Sequence, residues 1–260
     1  MKSIAVKLSL MLLGITTAYA ALAQIPWTRI LHVESIQKIS EEKLGNLYWD
    51  FISSTNTEIH VEDVIKPIDS IANRLLTANN ISPKSIRIHV VENPEVNAFA
   101  LPNRIIIINS GLLANAGTAE EFAGVLAHEI AHIEENHVMS KLRNEIGIQL
   151  LLSITSSNRV TDQLLSSLKV LTSTAFSRTF EREADQKGIS LMKRAKIDIR
   201  PLAHFFDKLQ KENNPLDPWI STHPLSEQRS QNIKNTIQDQ TQVVPLVHPS
   251  TWTKCRLALE

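Results

Sequence analysis

Thr118 to Val138 is the stretch that leaves this chain the least conformational freedom. Thr118 followed three residues later by Glu121 is a capping-box start, and Gly117 supplies the turn before it. Phe122, Val125, Leu126, Ile130 and Ile133 then recur at the three-and-four spacing of an amphipathic helix. Inside that helix stands His128-Glu129-Ile130-Ala131-His132. Histidines four apart leave the same side of a helix, one turn above the other, close enough to share one ion. Glu129 falls within the apolar arc, where a carboxylate is costly without a charged partner. A metal held by the two flanking histidines would be that partner. The bland alternative is a surface helix with two solvated histidines. Continuity of the helix and the placement of Glu129 argue against it.

The pattern is the H-E-x-x-H signature of zinc hydrolases, in which the glutamate acts on a metal-bound water. A catalytic zinc takes three protein ligands plus water, so one more is needed. The candidate segment is Ala175 to Asp185. Glu181 and Asp185 are four apart and share a helix face, whereas Glu183 points elsewhere. Such a pair is ordinarily a solvated acidic patch, but Phe176, Phe180, Ile189 and Leu191 flank this one and favour partial burial.

The 260 residues suffice for one large domain or a domain with a small extension. Lysine plus arginine is 27 and aspartate plus glutamate is 27, so no charge excess points to nucleic acid. The lone Cys255 excludes an intramolecular disulfide and a cysteine-based zinc cluster. Lys2 and Lys7 precede an apolar run from Leu8 to Ile15, and Ala18-Tyr19-Ala20 and Ala21-Leu22-Ala23 offer small-x-small cleavage sites. The run is short for a membrane span, which needs about 20 apolar residues. Residues 1–23 are therefore expected to be a cleaved signal for export to a periplasm, with an uncleaved membrane anchor as the alternative. After signal removal no integral membrane domain is expected.

Helical patterns begin at about Ser40 and run from Val61 to Asn79. Ser85 to Val91 alternates as a half-buried strand, placing His89 on the apolar-poor face and so at the surface. Asn97 to Pro102 suits an edge strand because it ends in proline, and Arg104 to Asn109 is a buried one. The free edge could receive an extended peptide by main-chain pairing. Beyond His132 the helical pattern continues to Leu152, followed by a polar loop over Ser153 to Asp162 and a helix over about Leu164 to Ser173. Ile199 to Leu209 reads as a helix, Asn213 to Thr222 as a loop, and Ser226 to Ile237 as a short polar helix. His204, His60, His32 and His248 lack ligand-like spacing. Val243 to Val247 is apolar and expected to pack across the domain or toward the cleft.

Four ordered motifs carry a family resemblance: His128-Glu129-Ile130-Ala131-His132 with His137 beyond, Ser177-Arg178-x-x-Glu181-x-x-Ala184-Asp185, Asn97 to Pro102 with Gly111-Leu112-Leu113, and Thr222-His223-Pro224 with Arg229. Together they resemble the zinc endopeptidases that include CAAX prenyl proteases, HtpX and BepA-like proteases, over about residues 71–229. The resemblance implies an α+β, mainly helical, zincin-like domain with a small sheet beside the motif helix, spanning residues 24–260, with a tail over 238–260. It implies one zinc per chain held by His128, His132 and Glu181, with Glu129 as general base on the zinc-bound water. It implies Asp185 orienting a ligand imidazole. His223 approaches and occludes the zinc in BepA-like members and helps at the oxyanion elsewhere; Arg229 assists that region. Asn97, Ala98, Phe99 and Ala100 would bind substrate. Asn103-Arg104 stands where the family often has glycine, so the loop there departs from the pattern.

The expected activity is zinc-dependent hydrolysis of peptide bonds in exported or misfolded envelope proteins. The alternatives are a zinc-containing, chaperone-like binding protein without turnover and metal-dependent hydrolysis of another bond.

Overall fold

The β-branched run Ile105 to Ile108 is the centre of the sheet, as the sequence requires of a strand buried on both faces. The computed structural model describes residue 16 and residues 33–156, 161–205, 218–224, 229, 231–232, 235–236 and 243–259. The expected signal segment lies outside them, apart from Thr16, as do His32, most of Asn213 to Pro218 and parts of the helices read over 199–209 and 226–237. The chain divides into a unit up to Ser40 and a unit from Glu41 onward.

Three strands, β1 (Arg87–Val91), β2 (Ala98–Leu101) and β3 (Ile105–Asn109), lie in the order β1-β3-β2. β1 runs parallel to β3, and β2 antiparallel to it, with Phe99 opposite Ile107 and Leu101 opposite Ile105. β2 is therefore the edge that its proline predicts. The β2–β3 turn holds Asn103 and Arg104 at φ of 61° and 56°, a conformation that favours glycine. Arg104 is kept there by bonds from its guanidinium to Ser85 O (3.0 Å) and Glu134 Oε1 (2.5 Å). The positive-φ turn that stands where the family often has glycine is thus held by side-chain anchors.

Helices cover both sheet faces. α1 (Val33–Thr55) and α2 (Glu62–Ala78) come first, the latter with Pro67 in its early turns. His89, expected at the surface, is instead part-buried: Trp49 stacks on its ring at 3.6 Å and Glu58 Oε1 meets its Nδ1 at 2.7 Å. Alternation along β1 reported the strand face but not the helix laid over it. A short α3 (Ser110–Asn115) leads to α4 (Ala119–Glu134), which carries the motif. Thr118 accepts from Glu121 N–H, and the Glu121 carboxylate reaches back to Gly117 N–H at 2.7 Å, a capping box displaced by one residue.

The helix does not run unbroken to Leu152. Asn136 adopts φ 56° and ends it, and α5 (His137–Ile146) departs in a new direction. Gly147 breaks the chain again before α6 (Ile148–Ser156), which extends into the segment read as polar loop. Periodicity survives such breaks because each piece still buries one face. α7 (Asp162–Ser173) and α8 (Arg178–Arg194) follow, the latter capped by Ser177. α8 packs closely along α4: a Cβ on Gly188 would stand 3.3 Å from the carbonyl of Ala127. Pro218–Thr222, part of the segment read as loop, forms the short helix α9 and buries Trp219 completely.

The C-terminal segment is tied down. Arg74 donates to the carbonyls of Ala195, Lys196, Val244 and Pro245, fixing residues 243–246 beside the end of α8. α10 (Pro249–Leu257) then buries Trp252 and Cys255. Cys255 lies at Val64 O, a packing role. Among the residues searched, no helix is long and apolar enough to cross a membrane.

Candidate metal centre

His128 and His132 leave one side of α4 as their spacing demands, and α8 brings Glu181 to meet them. α9 supplies a fourth group through His223, at its C-terminal end. Possible ligand atoms of His128, His132, Glu181 and His223 all lie within 4.8 Å of one another, and all four residues are buried. His128 Nε2 stands 3.0 Å from His132 Nε2 and 3.2 Å from His223 Nδ1, which stands 2.9 Å from Glu181 Oε1. His132 Nε2 is 3.5 Å from Glu181 Oε1.

These spacings fit zinc. With bonds of about 2.0–2.2 Å to nitrogen and oxygen, the donors of a tetrahedral zinc stand ~3.3 Å apart. Two neutral imidazoles and a carboxylate are also the donor set of known catalytic zinc sites. The charges agree: burial is opposed by the surrounding imidazoles, which hold the Glu181 carboxyl well below its usual range. Burial lowers His223 to about 4 and takes His132 well below its ordinary value, so both rings are neutral and able to ligate. His128 is the exception: burial opposes its charge, but Asp185 and Glu181 overcome it and raise that ring to about 9, so a metal binding there would displace a proton.

Glu129 is wholly buried beside this cluster, and its two oxygens differ. Oε2 accepts the backbone N–H of Ala100 at 2.9 Å. Oε1 has no hydrogen-bond partner among the described residues and lies 3.5 Å from His223 Nε2, which also has none. Burial pushes Glu129 up to about 8. A cation among the four donors would be the compensating charge that the sequence argument calls for.

Asp185 sits where the helix face predicts, its Oδ1 3.2 Å from His128 Nδ1. Arg229 grips both its oxygens, Nε to Oδ2 at 2.6 Å and Nη2 to Oδ1 at 2.8 Å. The same guanidinium reaches Glu181 Oε2 at 2.7 Å and Pro224 O at 2.8 Å. One arginine thus fixes the carboxylates of Asp185 and Glu181 and the turn after His223.

Ala98 and Ala100 line the free edge. Asn97 O accepts from Asn109 N–H at 3.1 Å, so alternation along the antiparallel pair turns the main-chain groups of Ala98 and Ala100 away from β3. Asn97 and Phe99 face a cavity of about 480 Å³ with Asn56, Asn109, Ser173 and Ser221 among its lining.

Spacing alone missed the aromatic frame. Phe176 stacks on His132 at 4.1 Å, and Trp219 stacks on His223 at 4.2 Å. His137, quoted only as part of a motif, and Glu183, read as pointing elsewhere, also belong to the site's surroundings: His137 meets His132 at 3.1 Å and Glu183 at 3.1 Å. Glu183 does leave the face of Glu181 and Asp185, and the break at Asn136 is what carries His137 back to meet it. His204 and His60 contact Glu121 and Glu58, away from the cluster, and His248 caps α10.

The model of peptidase family M48 matches residues 65–237, about two thirds of the chain. The chain belongs to peptidase family M48. Among M48 relatives it is 28% identical over 229 residues to the mitochondrial metalloendopeptidase OMA1 of Bos taurus, covering 80% of this chain and 43% of that one. It is 26% identical over 212 residues to the beta-barrel assembly-enhancing protease of Escherichia coli (strain K12), covering 75% and 43%. It is 30% identical over 177 residues to the metalloprotease LoiP of the same organism, covering 65% and 69%. The chain spans less than half the length of the first two.

Proposed function

We propose that this chain is a zinc-dependent endopeptidase that hydrolyses peptide bonds of exported or misfolded envelope proteins in a periplasm. The observation that carries the reading is Glu129: a fully buried carboxylate beside a four-donor cluster, with one oxygen tied to the edge strand and the other untied. His128, His132 and Glu181 would hold one zinc, their side chains set by Asp185 and Arg229. When bound, the zinc supplies a Lewis acid that polarises a carbonyl and acidifies water.

The residues of the chain do the rest. Glu129 Oε1 takes the proton of the attacking water and returns it to the leaving amine, while the Ala100 N–H keeps Oε2 from turning. The outward main-chain groups of Ala98 and the carbonyl of Ala100 pair with an extended substrate, and Asn97 and Phe99 border its side chains. Trp219 and Phe176 exclude water from the imidazoles they cover. His223 is the mobile member of the cluster in this reading: it fills the position a substrate needs and withdraws when one binds.

The envelope setting rests on the N-terminal residues and on the bacterial relatives, one named for β-barrel assembly. Those relatives are named as proteases, which favours turnover over binding alone. The test pairs metal content with hydrolysis of an unfolded protein for wild type and Glu129→Gln. The variant is expected to keep zinc and lose cleavage, by roughly 100-fold or more. Unchanged cleavage would end the mechanism.

A further inference from the structure

The two imidazoles on α4 are oriented by different means. His128 turns its Nδ1 to a carboxylate directly, at Asp185. His132 turns its Nδ1 to a third histidine: His137 Nδ1 lies 3.1 Å away, and His137 Nε2 lies 3.1 Å from Glu183 Oε2. Phe180 stacks on the His137 ring at 4.4 Å with planes 14° apart, and Phe176 stacks on the His132 ring at 4.1 Å with planes 27° apart, so both rings are held flat.

The protons on this row follow from the acceptor at its end. A carboxylate oxygen accepts, so His137 is the donor, through the Nε2 that faces Glu183 Oε2 at 3.1 Å. Its Nδ1 is then a lone pair, and the nitrogen facing that must donate as well, which places the His132 proton on Nδ1. His132 Nε2, 3.0 Å from His128 Nε2 and 3.5 Å from Glu181 Oε1, is left with its lone pair turned into the cluster. The opposite assignment puts a proton on His132 Nε2 and sets the His137 Nε2 lone pair against the Glu183 carboxylate. With both rings neutral, only one direction of the row joins donor to acceptor at every step.

We infer that His137 and Glu183 are positioning residues that fix the tautomer of His132 and thereby prepare its Nε2 to bind metal. The row also explains the break at Asn136: a helix continued past Glu134 would carry residue 137 away from His132, whereas the left-handed turn starts α5 with its first side chain over that ring. Glu183 lies two residues from Glu181 and two from Asp185 on α8, so one helix turn supplies a ligand carboxylate and the far partners of both imidazoles. The side chain of Glu183 is 48% exposed, which makes it replaceable without opening the core.

The inference rests on zinc ligation by His132, and its test reads binding and proton position, not cleavage. Zinc affinity would be measured by chelator competition for wild type, His137→Phe, His137→Gln and Glu183→Ala, each checked for folding by circular dichroism. The metal-free proteins would also be read by long-range ¹H–¹⁵N spectra of the imidazoles. Expected are a loss of roughly 10–100-fold in affinity for His137→Phe, a smaller loss for Glu183→Ala, and recovery in His137→Gln, whose amide oxygen can accept from His132 Nδ1. Wild type should show His132 protonated at Nδ1. Unchanged affinity in a folded His137→Phe, or a proton on His132 Nε2, would overturn the inference. The expected affinity losses and the expected proton position, found in a protein that cleaves no peptide, would uphold it and sink the peptidase reading alone.

Discussion

The backbone N–H of Ala100 donates to Glu129 Oε2 at 2.9 Å, joining the edge strand to the motif helix at the carboxylate between the two histidines. A glutamine at 129 can accept that bond with its amide oxygen, so Glu129→Gln should fold and load zinc like the wild type while losing cleavage. Glu129→Asp keeps a carboxylate but is one methylene shorter. It is expected to lose the Ala100 bond and to cut turnover at least tenfold with little change in KM, read by steady-state hydrolysis of an unfolded substrate.

Glu181 is the ligand we propose from α8, and its removal leaves His128, His132 and His223 in the cluster. Zinc content of Glu181→Ala after dialysis should fall well below one per chain, and elemental analysis would show it. Full zinc in that variant would remove Glu181 from the ligand set.

His223 contacts both His128 and Glu181, and in the proposed mechanism it competes there with a substrate carbonyl. His223→Ala should retain zinc on the remaining three ligands and hydrolyse an unfolded substrate several-fold faster than wild type. A fall in kcat with zinc retained would instead assign His223 to the oxyanion.

Arg229 neutralises a buried carboxylate, and breaking such a pair from one side is costly. Arg229→Ala should lower the unfolding free energy of the metal-free protein by ~3–5 kcal/mol, measured with denaturant. Arg229→Lys should recover only part of this, since a single ammonium cannot make the two parallel bonds to Asp185.

Lys141 is 3% exposed, donates to Thr174 O and lies over the Phe176 ring. Burial lowers its pKa from 10.5 to about 8. Between those values the unfolded chain holds a proton that the folded chain has released, so stability rises with pH across the window and is lost as pH falls back through it. Relative to Lys141→Met, the wild type should gain roughly 2 kcal/mol between about pH 7.5 and about pH 10. A constant difference would show that Lys141 stays charged in the folded protein.

The motif helix, its threonine cap and the burial of Glu129 were legible because each is a local matter of spacing and propensity. So was the face shared by Glu181 and Asp185, and the edge position of β2, which Pro102 announces. What spacing could not convey is where a helix turns. Asn136 and Gly147 interrupt a periodicity that stays helical on either side, and only the left-handed φ at Asn136 brings His137 back against His132. His89 was misplaced for a related reason: alternation assigns a face, but Trp49, more than thirty residues earlier, decides whether that face is covered. The turn at Asn103-Arg104 is a third case, its backbone cost met by bonds to Ser85 and Glu134 that no local pattern encodes.

Gly188 makes no bond in the metal centre, yet the reach of α8 toward α4 depends on it. His128 and Glu181 are separated by fifty-odd residues of chain, so their separation is a property of two helix axes, not of local backbone. A methyl group at 188 would press on the Ala127 backbone, one residue before His128, where nothing flexible can yield. Zinc sites tolerate ligand displacements of about 0.2 Å. The spacing of the cluster is thus written partly in a missing side chain: with all four donors intact, alanine at 188 would still force the Ala127 backbone or α8 to give by a few tenths of an ångström.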